Sequence, residues 1–309
     1  MGAIGASTAR LADSFGHTVT AVADEDSAAT DEAGIDVGSV LERKEVEGIL
    51  GEQSVDAAIG AEYDCLVEVS AAALGDAEPA FSHVATALGR DRNVVLGAKE
   101  PVAQRYGALK ELEAESDGQL RYEATIDGLL PVLSTIGDVG ADRITGVRGV
   151  FNGFANFILS RMTTEELGYE HVLAEAQDLG VADVDPTFDV EGTDSALTCS
   201  ILANELWWPD REFTTEDVAI DGITEVEGSA IELAKEDGMT VRLIGEVQSD
   251  KLRVAPRTIP TGSSLAISGS RTVVELDVRH AGRLSVSSSA TSSEEIAAAM
   301  LTDVNRLGD

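Results

Sequence analysis

The amino-acid sequence predicts an α/β protein in two parts, and three observations carry that expectation. The chain opens on Met1-Gly2-Ala3-Ile4-Gly5 and runs straight into an amphipathic helical pattern carrying Ala9, Leu11, Ala12 and Phe15. Up to about residue 120, short apolar runs alternate with helical stretches, the spacing of βαβ units around a parallel sheet. Beyond that point the pattern changes to longer helices and alternating strands, as expected of a separate α+β part. A length of 309 residues suits about two domains, each with its own core.

Taken in order, residues 18–23 (T-V-T-A-V-A) read as a strand ending at Asp24, residues 65–69 as a second and residues 93–96 as a third. Residues 38–50 and 77–88 are the helical stretches between them. In the second part, residues 143–150 form a strand, residues 167–179 an amphipathic helix closed by Gly180, and residues 195–207 a buried helix stopped by Pro209. Strands are then expected at 251–255, 264–268, 272–278 and 283–287, followed by a serine-rich, loop-like stretch. A last helix, 293–307, starts where serine precedes Glu294 and Glu295 and carries Ile296, Met300 and Val304 on one face.

The charge balance is extreme. The net charge is −34, and only five of the 22 basic residues are lysines: Lys44, Lys99, Lys110, Lys235 and Lys251. Such a surface suits molar salt, where the screening length falls to about 3 Å; in dilute buffer it would push the fold apart. It repels phosphate backbones, which excludes nucleic acid as a partner. A hydrophobic content of 43% in regular runs argues against disorder. No apolar run reaches the ~20 residues of a membrane span, no signal segment opens the chain, and two cysteines make no disulfide framework. The expectation is a halophilic, cytoplasmic protein that binds no membrane.

The opening residues complete half of a dinucleotide fingerprint. In G-x-G-x-x-G, a strand leads to the first glycine and a helix follows the last. Here Gly2 and Gly5 take the second and third positions, so the strand and the first glycine fall before Met1. A Rossmann-like parallel sheet without its first strand results. Either translation starts upstream or the nucleotide site is crippled; the intact remainder of the fingerprint favours the upstream start. The predicted cofactor is NAD or NADP, held by Gly2, Ala3, Ile4, Gly5, Asp24 and Ser70, with Lys99 beside it. Asp24 lies 22 residues after Gly2, where an acid binds the adenosine ribose hydroxyls. Asp24-Glu25-Asp26 would repel a 2′-phosphate, which favours NAD; the alternative is a solvated acidic loop.

Two further segments carry a family resemblance. Gly149 to Met162 reads G-V-F-N-G-F-A-N-F-I-L-S-R-M, and residues 182–194 read A-D-V-D-P-T-F-D-V-E-G-T-D. Together they resemble the homoserine dehydrogenase signature, and the likeness extends over nearly the whole chain, including V-A-P-R-T-I-P at 254–260. The resemblance implies an enzyme that interconverts L-homoserine and L-aspartate 4-semialdehyde with NAD(P), in threonine, methionine and isoleucine biosynthesis, and a homodimer without a C-terminal regulatory domain. It implies a dinucleotide-binding domain over 1–130, joined by the last helix 292–309, and a substrate-binding and dimerisation domain over 131–291. Asp183 would hold the substrate ammonium, with Gly153 and Asp189 also on the substrate and Asp194 orienting it. Lys99, in G-A-K-E-P, matches the lysine near the nicotinamide. Glu123, Ile126, Gly128 and Leu130 match positions that hold a monovalent cation.

The departures from the signature fall in one family pocket. The lysine that ends the motif, four residues after Asp194 and on the same helix face, is Thr198 here. A threonine hydroxyl is too weak an acid to replace it, and loss of such help costs about 10²–10⁴-fold. Phe154 replaces a threonine, Ala98 an asparagine, Glu100 and Asp127 glycines, and residues 287–291 (S-S-S-A-T) replace G-P-G-A-G. Two other readings therefore stand beside the first: a catalytically silent paralogue with a ligand or partner role, and an oxidoreductase of altered, more apolar substrate. Asp194 could also be no more than a helix cap.

Overall fold

In a computed structural model the described residues are 1–71, 73–126, 128, 130–178, 185–289 and 292–308. The chain forms two compact units, Met1–Leu129 with Ser292–Asp309, and Leu130–Thr291.

The first unit begins with the helix Ala3–Leu11, then β1 (Ala21–Ala23) and β2 (Ala28–Thr30), an antiparallel pair of their own. The helices Val37–Glu47 and Val55–Ile59 follow, each started by a side-chain cap, Asp36 and Ser54. Next come β3 (Cys65–Glu68), the helix Ala80–Leu88, β4 (Asn93–Leu96), the helices Lys99–Gln104 and Tyr106–Ala114, and β5 (Leu120–Arg121). Strands β3, β4 and β5 lie in that order in a parallel sheet. The C-terminal helix Ser293–Asn305 opens on a capping box between Ser292 and Glu295. It packs Ala299 and Met300 on Val95 and Ala124, with Ile4, Val67 and Val69 closing the cluster. The expected strand at 18–23 is shorter than its apolar run, because its ladder partner supplies only three residues. Among the described residues no strand precedes Ala3, and β1–β2 is separate from the parallel sheet.

The second unit is built on one six-stranded sheet. Its strands are β6 (Ile144–Val150), β7 (Val218–Ile220), β8 (Met239–Gln248), β9 (Lys251–Pro260), β10 (Thr272–Val278) and β11 (Gly282–Ser288), in the order β11-β10-β6-β8-β9-β7. Only β7–β9 is parallel; β8 and β9 form a hairpin across Ser249-Asp250, with Gln248 opposite Lys251. The helices Val132–Val139, Gly153–Glu165, Tyr169–Asp178, Thr193–Trp207 and Gly228–Glu236 complete the unit. Thr193–Trp207 is buried on nearly every side, as its run of small and apolar residues from Ser195 to Ala203 requires.

One expected strand is absent. Residues 264–268 alternate like a strand but form a loop that plugs Leu265 into Val150, Ile244 and Val273. The carbonyl of Ile267 accepts from Arg242 Nε at 2.6 Å, and the Ala266 N–H is taken by Ser263, so the backbone has no ladder to join. The apolar alternation served packing on a sheet rather than membership of it. Strand β8, absent from the sequence reading, is the strand that joins the two sides of the sheet.

Candidate active site

In the second unit the site is built outward from a ring. Phe151, 2% exposed, follows β6, and its ring lies between Gly149 and Gly245, which face each other across β6 and β8. A Cβ on Gly149 would come within 2.4 Å of that ring, and one on Gly245 within 2.3 Å. Two bare backbones therefore make the slot, and the seated ring fixes the next residue, Asn152.

Asn152 is the hub. Its Oδ1 accepts from the Ala155 N–H at 2.7 Å and so caps the helix Gly153–Glu165. Its Nδ2 donates to Asp189 Oδ1 at 2.6 Å and to Asp194 Oδ2 at 3.0 Å. One amide thus draws together two carboxylates from the short helix Thr187–Val190 and from the first turn of Thr193–Trp207. Between them Gly192 caps the long helix with φ at +88°, a conformation glycine adopts without steric cost. The signature contains this asparagine, but the sequence alone gave no reason to see it as a bridge.

Of the expected substrate residues, Gly153, Asp189 and Asp194 converge here, while Asp183 lies outside the described residues. Phe154 is half-buried, its ring stacked on Phe157 at 6.5 Å. Thr198 is 2% exposed, and its hydroxyl donates to the Asp194 carbonyl at 3.4 Å, back into the helix. Ser287 ends the expected strand 283–287, and Ser288 extends it into the expected loop, since the β10 ladder runs on to pair Thr272 with Ser288.

In the first unit, Gly2 is extended (φ −74°, ψ 172°) and starts the helix Ala3–Leu11 with no side-chain cap. Among the described residues nothing lies within 4 Å of a Cβ built on Gly2, so the helix N-terminus, which has no side-chain cap, fits a pyrophosphate. Ala3 and Gly5 lie in this first turn, whereas the Ile4 side chain belongs to the core, leaving only its backbone for a ligand.

Asp24 ends β1 and is held from both sides. Its Oδ1 accepts from Asp26 N, Ser27 N and Ser27 Oγ at 3.0–3.2 Å, and its Oδ2 accepts from the Met1 ammonium and from Lys44 Nζ, each at 2.7 Å. Burial pushes its pKa up, but hydrogen bonds from Lys44, the terminal ammonium and the turn outweigh it and hold the carboxyl well below its ordinary range. Ser70 follows β3, and its N–H and hydroxyl both donate to Glu68. Lys99, half-buried, is the first residue of Lys99–Gln104 at the C-terminal end of β4.

Of the expected cation ligands, Glu123 is buried in the turn Glu123–Thr125, and its N–H donates to Asp303 at 2.9 Å. Ile126 is buried in the same unit, and Gly128 has φ at +74°. Leu130, also buried, is the first residue of the second unit. Cys65 and Cys199 form no disulfide, and burial pushes the Cys65 thiol up to about 12, which keeps it protonated and a poor nucleophile.

A unit with a parallel sheet and a glycine-led first helix, and a second unit built on a mixed sheet, define a Rossmann-like α/β protein. Residues 131–304 match the homoserine dehydrogenase family. The chain is similar to the homoserine dehydrogenase of Methanocaldococcus jannaschii, at 33% identity over 93% of this chain and 87% of that one. It is similar also to the NAD(+)-dependent homoserine dehydrogenase of Pseudomonas canavaninivorans, at 35% identity over 74% of this chain and 66% of the other. A solved structure from Archaeoglobus fulgidus, assigned as a homoserine dehydrogenase, superposes with a TM-score of 0.90 at 34% identity, covering 99% of this chain and 96% of that one. A hyperthermophilic archaeal homoserine dehydrogenase solved with NADPH shares the fold, with a TM-score of 0.84 at 22% identity, covering 99% and 94%. The chain belongs to the homoserine dehydrogenase family and with it to the NAD(P)-dependent oxidoreductases.

Proposed function

We propose that this protein interconverts L-homoserine and L-aspartate 4-semialdehyde, with NAD favoured over NADP. The observation that carries the reading is the Asn152 amide bridging Asp189 and Asp194, the two acids of the signature. In this reading Asp183 holds the substrate ammonium, while Gly153 and Asp189 shape its seat and Asp194 orients its hydroxyl. Lys99 supplies the positive charge that stabilises the substrate oxygen as its proton passes to solvent water. The dinucleotide, when bound, supplies the hydride-accepting carbon. Gly2, Ala3, Ile4 and Gly5 bind its phosphates through backbone N–H groups, and Asp24 takes the ribose hydroxyls with Ser70 nearby.

Thr198 cannot perform the proton transfer of the signature lysine, and its hydroxyl is engaged with the Asp194 carbonyl. Slow turnover is the consequence. A monovalent cation at Glu123, Ile126, Gly128 and Leu130 belongs to the same reading, supported by the buried Glu123 carboxylate. A homodimer is supported by the edge strand β11, mostly exposed and paired only with β10 among the described residues. No helix among the described residues is long and apolar enough to cross a membrane. A cytoplasmic, high-salt setting draws its support from two cysteines that form no disulfide and from the net charge of −34.

The test is homoserine oxidation in molar KCl by the natural protein and by Thr198→Lys. Measurable oxidation that rises by about 10²–10⁴-fold in the variant is expected, with NADH bound more tightly than NADPH. No activity in either protein, and no NADH binding, would instead mark a silent paralogue. NADH binding with indifference to homoserine would mark a reshaped pocket around Phe154.

A further inference from the structure

The C-terminal edge of the parallel sheet carries a buried network that lies outside the signature. Glu68, the last residue of β3, is 5% exposed. Its Oε1 accepts from the Ser70 N–H at 2.7 Å and from the Ser70 hydroxyl at 2.5 Å, and its Oε2 lies 2.7 Å from His83 Nδ1. The Glu68 carbonyl accepts from the Gly97 N–H at 2.9 Å, in the turn that leads from β4 to Lys99. One residue therefore ties both turns at the edge where open α/β sheets bind their ligands.

His83 is the titrating member. It sits on Ala80–Leu88, which packs against β3 and β4, and its side chain is 20% exposed. Its pKa is raised, first by the hydrogen bond to Glu68, against an opposing burial effect, and further by the charges of Glu68, Glu78 and Asp56. Glu68 faces it from β3, Glu78 from the turn before its own helix and Asp56 from Val55–Ile59. On Tyr106–Ala114, which packs against the same helix, Lys110 is engaged with Glu113 and with the rings of Tyr106 and Tyr122. The charges of Glu68, Glu78 and Asp56 all favour the imidazolium.

We propose that His83, acting through Glu68, is a positioning residue for the dinucleotide: the imidazolium fixes the carboxylate that fixes the Ser70 turn. This rests on the reading that the cofactor binds at this edge. Because the folded protein raises the histidine pKa, the ionic contact is complete below about pH 6.5 and is lost as pH climbs through the raised value. Cofactor affinity therefore weakens on the alkaline side, while the bound complex turns over at a rate that changes little.

NADH binding in molar KCl between about pH 6 and about pH 9 tests this in the natural protein, His83→Ala and His83→Gln. The natural protein should lose affinity about tenfold across the range, the scale of one charge-assisted hydrogen bond. His83→Ala should bind weakly and without pH dependence. His83→Gln, whose amide donates to Glu68 without titrating, should recover tight binding and stay flat. Imidazole NMR of the four histidines gives a readout free of cofactor, in which Glu68→Gln should lower one histidine pKa. A His83→Ala or His83→Gln profile superimposable on a tight, pH-dependent natural one overturns the His83 role alone. A natural protein that binds neither NADH nor NADPH at any pH overturns the cofactor reading, and this role with it.

Discussion

The two units hold their acids in opposite ways. In the second, Asp189 and Asp194 are drawn together by one distant amide, Asn152, whose place is set by a ring wedged between Gly149 and Gly245. In the first, Asp24 is held by its own turn, through Asp26 and Ser27, and by Lys44 and the Met1 ammonium at its rim. One acid pair depends on packing between strands far apart in sequence, the other acid on its own turn and on two ammonium groups of the same unit. Damage to the core should therefore reach the first kind of site and spare the second.

The strongest way to break this comparison is Phe151→Ala. Emptying that slot should cost about 3–5 kcal/mol, seen as a lower Tm, and should remove homoserine turnover while NADH binding by the folded fraction persists. Equal loss of both functions in folded protein would show that the units do not differ in this way. Asn152→Ala should act next, removing a helix cap worth about 0.5–2 kcal/mol and leaving two neighbouring carboxylates without their shared donor. A fall of about 10–100-fold in kcat/KM for homoserine is expected, with NADH affinity unmoved. Unchanged kcat/KM would mean that the bridge serves folding only.

The smallest effect sharpens the contrast from within the first unit. Asp303, on the C-terminal helix, is 2% exposed, and its Oδ2 accepts from the Glu123 N–H. Burial, countered by that hydrogen bond and reinforced by the Glu123 charge, pushes its pKa up to about 6 from 3.8. The folded protein then binds this proton better than the unfolded chain does. Its stabilising effect is complete below about pH 4 and falls away as pH rises to about 6. Asp303→Asn should have the higher Tm above about pH 6 and lose that advantage towards about pH 4. A Tm difference independent of pH would contradict this account.

How much of this was legible depended on how local each feature is. Strands 93–96 and 272–278 have the bounds their sequence predicts, since each apolar run ends where its ladder ends. Residues 264–268 deceived, because alternation reports a face in contact with the core, and a loop clamped by Arg242 presents the same face. Strand β8 is not legible in the sequence although every residue from Thr240 to Gly245 is buried, because a strand covered on both sides loses the period-two signal. The acids of the site were visible as a motif, but not their bridge. The partnership of Glu68 with His83 was invisible, since fifteen positions of ordinary sequence separate them.

By itself, then, the sequence determined the family and the α/β class, because glycine spacing, apolar periodicity and the signature segments are written along the chain. Only the tertiary structure decided that Asn152 joins Asp189 to Asp194, that Thr198 turns its hydroxyl into its own helix, and that Glu68 ties two turns at one sheet edge. Those are hydrogen bonds of fixed length and direction. Their partners come within reach only after the sheets have set their register and the core has closed around Phe151.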